Sequence, residues 1–567
     1  MIFYKICLES ANRRLLNVQM TFEHNGGEFE VYLPNWIPGS YLVRDFSRHI
    51  QMIICEQCTL TQISSGRWRG SADACDVSIR LVTYCNDHSV RECYVDDQRA
   101  FFNITSVCLI LAGAESKTHN IQLDTDAWPS DWKVATGLAP ESIDDAGFGH
   151  YLAPDYQSLA DCPIEIGIHQ RFEFEACGVP HVVCISGADE FDSDQVLTDL
   201  TDICEWQIRL FGEPAPVDRY WFLIHAMDEG YGGLEHMNST VLQINTRDLP
   251  IKGAKKRTDD YLKFLELCSH EYFHTWNVKR IRPDGYSEYA FEGPQYTDML
   301  WFFEGVTSYY DGTALTRSGV GELDYLLRQI ALVVTRTERH PGATTQTLEQ
   351  ASFDAWTKFY KQDENAPNAL ANYYGKGSLV ALCLDALIQR HSSLSLDDLM
   401  RELWANYKHG GAGVSLDGLM AWLDANLGEE NGNLLRGWVS NNESLPVVES
   451  LDFFGFDVDK SVAKQSMPYC PTLNVYLNDE LLVKTVLHHG SADRAGLASG
   501  DKLLALGGRQ LTAANYADLL KRAEGQAVSL HYFRQGRLCS IELLVETTAD
   551  VYSIKKRTSD QAWWELP

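Results

Sequence analysis

Ser269-His270-Glu271-Tyr272-Phe273-His274-Thr275-Trp276 reads H-E-x-x-H. On an α-helix, residues i and i+4 lie one turn apart on nearly the same face. His270 and His274 can therefore aim two imidazoles at one metal ion, and Glu271, one step round the helix, can polarise a water there. Zinc suits such a set, because a catalytic zinc takes three protein ligands and keeps a position for water. Histidine occurs 17 times in 567 residues. By composition the pattern arises by chance in about one chain in thirty of this length. The alternative is two histidines merely packed on an amphipathic helix, so the surroundings decide.

Upstream, Thr258-Asp259-Asp260 reads as an N-cap with acids in the first turn. Tyr261, Leu262, Leu265 and Cys268 continue the helical apolar spacing up to His270. Arg282-Pro283-Asp284-Gly285 predicts the helix stop. A second helical stretch over 297–306 holds Glu304 among Trp301, Phe302, Phe303 and Val306. A carboxylate there is costly unless paired or bound to a metal, which makes Glu304 the candidate third ligand.

Before the helix comes Tyr220-Trp221-Phe222-Leu223-Ile224-His225-Ala226, apolar enough for a buried strand, then Glu229-Gly230-Tyr231-Gly232-Gly233-Leu234-Glu235-His236. Gly232 and Gly233 followed by an acid predict a strand edge that another backbone approaches closely, such as an extended peptide pairing by strand addition. A glycine-rich hairpin turn with a solvated acid is the competing reading.

His270-Glu271-x-x-His274 with a downstream Trp301-x-x-Glu304-Gly305 resembles the gluzincin metallopeptidases, and the run 269–283 resembles one branch closely, the glycyl aminopeptidase family, whose members carry a PDZ domain. That resemblance implies several roles. Gly232-Gly233-Leu234-Glu235 takes the place of the segment whose glutamate holds the substrate's free amine. His236 follows it, where the larger aminopeptidase branch has Asn. Tyr374-x-Lys376-Gly377 resembles the family's Y-x-K-G, whose tyrosine hydroxyl bonds the oxyanion, with Tyr373 adjacent as the alternative. The resemblance also points to small N-terminal residues, glycine and alanine, as the residues released.

The expected fold class is multidomain α+β. Residues 1–167 show short alternating runs such as Val77-Ser78-Ile79-Arg80-Leu81, separated by turn residues such as Asn25-Gly26-Gly27, and predict an N-terminal β-sandwich. Residues 168–455 turn mixed and then helical, with amphipathic stretches at 323–334, 379–388, 396–407 and 416–427, fitting a thermolysin-like zinc peptidase domain. A linker-like stretch opens 456–550, where Gly490-Ser491-Ala492-Asp493-Arg494-Ala495-Gly496-Leu497 resembles a bacterial-type PDZ domain with its helix over 515–523. Its usual carboxylate-binding loop, due near 471–476, is not found, so a packing role stands beside peptide capture. Residues 551–567 read as a tail without a signal. Arg44 and Asp45 read as a surface ion pair, and Arg280 and Arg282 as helix-end charges.

The 48 basic and 78 acidic residues leave a net charge of −30, which argues against nucleic acid and anionic membranes as partners. Fifteen scattered cysteines and no visible signal peptide or spanning segment point to a reducing, cytoplasmic setting. The lone Cys55-Glu56-Gln57-Cys58 lacks the second pair that a structural zinc would need. The motif and its surroundings therefore predict one Zn2+ per chain on His270, His274 and Glu304 with Glu271 as general base, and the resemblance implies Tyr374 as oxyanion donor and Glu235 as amine anchor. The substrate is a peptide with a free N-terminus, and a peptide or an intramolecular segment is the partner of the PDZ domain. Three alternatives remain: an endopeptidase with the same metal site, a zinc hydrolase of a non-peptide amide or epoxide, and a scaffold with a decayed site. The last is disfavoured because both histidines, Glu271, Glu304 and Tyr374 are all present.

Overall fold

Alternation of apolar and polar residues over the first 165 positions builds strands, as a period of two requires. Two of them, Leu15–Tyr32 and Arg67–Tyr84, run antiparallel from Leu15 opposite Tyr84 to Tyr32 opposite Arg67. They are the spine of a nine-stranded sheet. Asn25-Gly26-Gly27, expected as a turn, lies inside the first of these strands, where pairing with the second outweighs local turn preference. A four-stranded sheet completes this β-rich region. Arg44 does not pair with Asp45. It is largely buried, lies 3.6 Å from Glu92 and donates to Ser40 Oγ, because burial favours a partner that is itself enclosed.

In the computed structural model the described residues are all but 409, 412, 465, 466, 548, 558–563 and 565–567. They form two compact units. One is Met1–Tyr296 with Tyr310–Gly321 and Asp397–Val414; the other is Thr297–Tyr309 with Glu322–Leu396 and Ser415–Pro567.

In the first unit, a five-stranded sheet follows the β-rich region: β1 (Gln170–Ala176), β2 (Val179–Ser186), β3 (Tyr220–Met227), β4 (Gly232–Glu235) and β5 (Ser239–Asn245). The order is β1-β2-β3-β5-β4, so β4 is an edge strand, antiparallel to β5. The β2-to-β3 crossover carries helix α1 (Ser193–Phe211). One apolar core runs from Ile2 and Tyr4 of the β-rich region through Val182, Leu223 and Val241 of this sheet.

Helix α2 (Asp259–Phe273) carries the H-E-x-x-H residues, and Thr258 caps it by accepting from the Tyr261 N–H at 3.1 Å. It ends at His274, not near Arg282. The Asn277 carbonyl folds back to His274, Val278 takes φ +141°, and Asn277 bridges Ile281, a turn that no helix can continue through. The inward face of α2 is aromatic: Tyr272 bonds His181 at 2.9 Å, and Phe273 stacks on Tyr310.

In the second unit, α3 (Leu300–Phe303) leads through Glu304 to the start of α4 (Gly305–Arg317), and α5 (Tyr373–His391) crosses them. The expected helices appear at Leu323–Arg339 and Leu416–Leu427, and another, Leu396–Tyr407, lies in the first unit from Asp397 on. Residues expected as a linker form β6 (Phe456–Val462). A separate core from Cys470 to Val545 holds β7 (Tyr469–Cys470), β8 (Val475–Leu477), β9 (Val483–Val486) and α6 (Tyr516–Ala523). The residues read as a tail supply β10 (Ala549–Lys556), which pairs with β6, and a buried Trp564 whose Nε1 donates to Tyr309 Oη at 2.9 Å. Neither was legible, since a strand that pairs 90 residues back and a lone tryptophan have no local signature. No described helix is long and apolar enough to cross a membrane.

Candidate active site

The two α2 histidines are held from behind. His274 Nδ1 lies 2.7 Å from the Asn277 carbonyl, an acceptor only, so Nδ1 carries the proton and Nε2 keeps its lone pair. His270 Nδ1 lies 3.1 Å from Asp311 Oδ2 on α4, with the same consequence. The two rings sit edge to face, 4.7 Å apart. A histidine that donates through one nitrogen and offers the other is the arrangement metal sites use, because the outer bond fixes both tautomer and ring orientation. His270, His274 and Glu304 each offer a ligand atom within 4.8 Å of the others'. Glu235, Glu271 and His274 make a second such group. Two imidazole nitrogens and a carboxylate oxygen form a donor set that suits zinc.

Glu271 is buried and faces the edge strand. A Cβ on Gly233 would overlap Glu271 Oε1, so position 233 admits no side chain while that carboxylate keeps its place. On the other side, a Cβ on Gly39 would stand 2.5 Å from Glu235 Oε1. The loop around Gly39 in the β-rich region is thus the immediate neighbour of the Glu235 carboxylate. The free edge of β4 is not wholly open: Arg91 donates to the Gly233 carbonyl at 3.0 Å.

A buried network that the motif spacing did not reveal ties these segments together. Asp161 accepts from Lys279 Nζ at 2.6 Å and from the Met237 N–H at 2.7 Å, and lies 3.3 Å from His236 Nδ1. Burial alone would raise the Asp161 pKa, but the Lys279 charge and the His236 contact outweigh it and hold the carboxyl below its usual range. The ion pair thus spans the end of the β-rich region, the residues after Glu235 and the residues after His274. Breaking one partner of such a buried pair leaves an uncompensated charge, which makes it a strong constraint on register.

In the second unit, Glu304 is buried, directly before α4. Gly305 and Gly377 set its surroundings. A Cβ on Gly305 would lie 2.5 Å from Gly377 Cα, and one on Gly377 would lie 2.5 Å from the Trp301 carbonyl. The two glycines therefore let α3–α4 and α5 touch backbone to backbone. That contact brings Tyr374, in the first turn of α5, near Glu304: burial first, then the Glu304 charge, raises the Tyr374 pKa, so its hydroxyl stays a donor at neutral pH. Asn372 caps α5 by accepting from the Tyr374 and Gly375 N–H groups. Tyr374 Oη lies 3.1 Å from Tyr360 Oη, whereas Tyr373 is fully buried in the core. Of the two adjacent tyrosines, Tyr374 alone is part-exposed. Lys376 is a clamp, donating to the Ala343 carbonyl at 2.6 Å and to Asn442, and burial lowers its pKa to about 8.

Asp311, Asn277, Asp161 and Tyr360 are the site neighbours that sequence reasoning missed. Asp311 alone had a usable signal: it stands seven residues after Glu304, two helical turns, hence on the same side. The fifteen cysteines are all free thiols, and Cys55 and Cys58 contact each other at 3.5 Å.

Residues 263–380 match the family profile described as M61 glycyl aminopeptidase, and residues 3–168 match that of the peptidase M61 N-terminal domain. The crystal structure of an aminopeptidase N family protein from Idiomarina loihiensis is 37% identical and superposes with a TM-score of 0.94 over 100% of both chains. An M1 zinc metallopeptidase from Deinococcus radiodurans is 12% identical, with a TM-score of 0.48 over 79% of this chain and 94% of its own. Yeast LTA4 hydrolase in complex with bestatin is 13% identical, with a TM-score of 0.47 over 77% of this chain and 67% of its own. No curated protein matches the chain.

Proposed function

We propose, since this chain belongs to the M61 glycyl aminopeptidase family, that it is a zinc-dependent aminopeptidase releasing small N-terminal residues, glycine and alanine, from peptides. The observation that carries the reading is the pair of imidazoles pinned through Nδ1, by the Asn277 carbonyl and by Asp311, with the Glu271 carboxylate one residue along the helix. His270, His274 and Glu304 hold one Zn2+. Helix α4 supports Glu304 as the third ligand: it follows Glu304 without a break and carries Asp311, the partner of His270, two turns on.

A zinc ion held there lowers the pKa of a water toward neutrality and polarises the scissile carbonyl. The protein's own groups do the rest. Glu271 takes the proton of the attacking water and returns it to the leaving amine. Tyr374 Oη donates to the carbonyl oxygen as charge develops on it; the loss of one such donor costs about 3 kcal/mol. Gly232 and Gly233 leave room for the substrate backbone beside β4, and Glu235 pairs with its N-terminal ammonium. The closeness of Gly39 to the Glu235 carboxylate supports an exopeptidase over an endopeptidase, because an endopeptidase needs an open path there for the upstream chain.

We read the core from Cys470 to Val545 as the PDZ domain, with an intramolecular role. Both edges of β8 are taken within the chain: β9 pairs on one side and β7 on the other, and the Leu477 N–H donates to the Pro468 carbonyl at 2.7 Å. Asn368 bonds Val486 and His488 from the helical region.

Two experiments test the proposal. Glycine and alanine p-nitroanilides are expected to be cleaved, and their N-acetylated forms not, with chelator abolishing the activity. Cleavage of the acetylated forms would move the function to an endopeptidase. Glu235→Ala is expected to erase most of the preference for free amines with little change in stability, and an unchanged preference would remove it as the anchor. Separately, Asp311→Asn should weaken metal affinity about 10- to 100-fold in chelator competition. An unchanged affinity would mean that Asp311 does not orient His270.

A further inference from the structure

A cavity of about 260 Å³ opens just beyond the C-terminal end of α2. Its lining includes Lys279, Arg280, Arg282 and Lys408, beside Met237 and Tyr407, and none of its described lining residues is acidic. That runs against a composition of 78 acids to 48 bases. Lys279 is neutralised by Asp161 at 2.6 Å. Arg280 and Arg282 have no such partner: among the described residues their recorded bonds go to backbone carbonyls alone. Arg280 donates to Thr275 O at 2.7 Å, Pro216 O at 2.8 Å and Met237 O at 3.1 Å. Arg282 donates to Lys279 O at 2.9 Å and to Tyr286 O and Ser287 O at 3.3 Å, all through Nε and Nη1.

Carbonyls fix a guanidinium without discharging it. Both arginines are pre-positioned cations: burial pulls the Arg280 pKa down to about 10, against the Asp161 charge that opposes it and with the Arg282 charge that adds to it. A planar, carbonyl-anchored guanidinium with donors to spare is what protein sites use for carboxylate and phosphate oxygens. The expectation that these are simple helix-end charges does not hold, since α2 ends at Phe273 and Arg280 bonds two carbonyls from segments before α2, Pro216 and Met237, and one just past its end, Thr275.

We propose that the cavity at Arg280, Arg282 and Lys408 is a binding site for a small oxyanion, an inorganic phosphate or a compact carboxylic acid. The cavity lies just below the usual range for small-molecule sites, which fits such a ligand and not a nucleotide or a folded peptide. Its position gives occupancy a consequence. Arg280 ties Thr275, next to His274, to Met237, two residues after Glu235, so an anion bound to Arg280 steadies both segments at once.

The test uses the full-length protein. Calorimetric titration and thermal unfolding are run with phosphate, with succinate and with chloride at matched ionic strength. Phosphate or succinate is expected to bind at one site and raise the unfolding midpoint, as any ligand specific to the folded state does. The tighter of the two identifies the anion class. Arg282→Gln is expected to weaken that binding about tenfold or more, and Lys408→Gln, an exposed change that spares the fold, to weaken it less. A midpoint rise that chloride reproduces, or an affinity unchanged in Lys408→Gln and in any folded Arg282→Gln, would overturn the proposal. The binding readout is independent of the aminopeptidase reading.

Discussion

Glu271→Gln is expected to retain the metal and lose turnover. The amide has the shape of the carboxylate and fits the same space against Gly233, so neither the fold nor the ligand set changes. What is lost is the group that accepts a proton from water and delivers it to the leaving amine, a contribution of about 10²- to 10⁴-fold. The drop should fall on kcat, with KM for a glycine or alanine p-nitroanilide little altered, since Glu271 is not the proposed amine anchor. Metal analysis of the purified variant beside its kinetics checks both halves. A near-wild-type rate would take Glu271 out of the mechanism. Loss of metal together with activity would make it a structural contributor to the ligand set.

The second large effect concerns a residue with no chemistry of its own. Gly377→Ala adds one carbon, which would lie 2.5 Å from the Trp301 carbonyl and 2.9 Å from Gly305 Cα. Both neighbours are backbone, so neither can swing aside. Alanine gains up to about 1 kcal/mol of helix propensity over glycine, while overpacking of this kind costs about 1–3 kcal/mol or more. The clash wins, and the variant should be less stable by about 1–2 kcal/mol. The larger consequence is positional. Parting α3–α4 from α5 separates Glu304 from Tyr374, and a shift of an ångström at a catalytic group can cost about a hundredfold in rate. Denaturant unfolding and kcat/KM measured together test this. A variant as stable and as active as the parent would show that the contact has slack.

The region from Cys470 to Val545 illustrates how far a local pattern reaches. Gly490 to Leu497 and the helix over 515–523 were legible because their glycines and apolar spacing are local. The fate of the β8 edge was not. It depends on Pro468 to Cys470 folding back as a hairpin, and a two-residue strand has too few positions to show a period. With β7 on one side and β9 on the other, both edges of β8 are paired within the chain. Similarly, β6 read as a linker because its charged positions alternate with few apolar ones, and only its pairing with β10 makes it a strand.

By itself the sequence determined the parts of this protein whose signal fits within a few helical turns. These are the α2 helix with both histidines on one face, the buried acid after Trp301, the glycine-led edge strand, and the order of β-rich, mixed and helical regions. Each follows from a spacing of two or of 3.6 residues, or from the cost of burying a charge. Tertiary structure decided what surrounds those parts. It placed Asp311 and the Asn277 carbonyl on the outer nitrogens of the histidines, and it joined Asp161, Lys279 and His236 into one buried network across 118 residues of chain. It also left Tyr374 part-exposed beside Tyr360 while burying Tyr373, and it gathered Arg280 and Arg282 around a cavity whose described lining residues include no acid. These outcomes rest on which distant segments exclude water together. Hydrogen bonds, ion pairs and close glycine contacts take their strength from that shared burial, and no window of sequence records it.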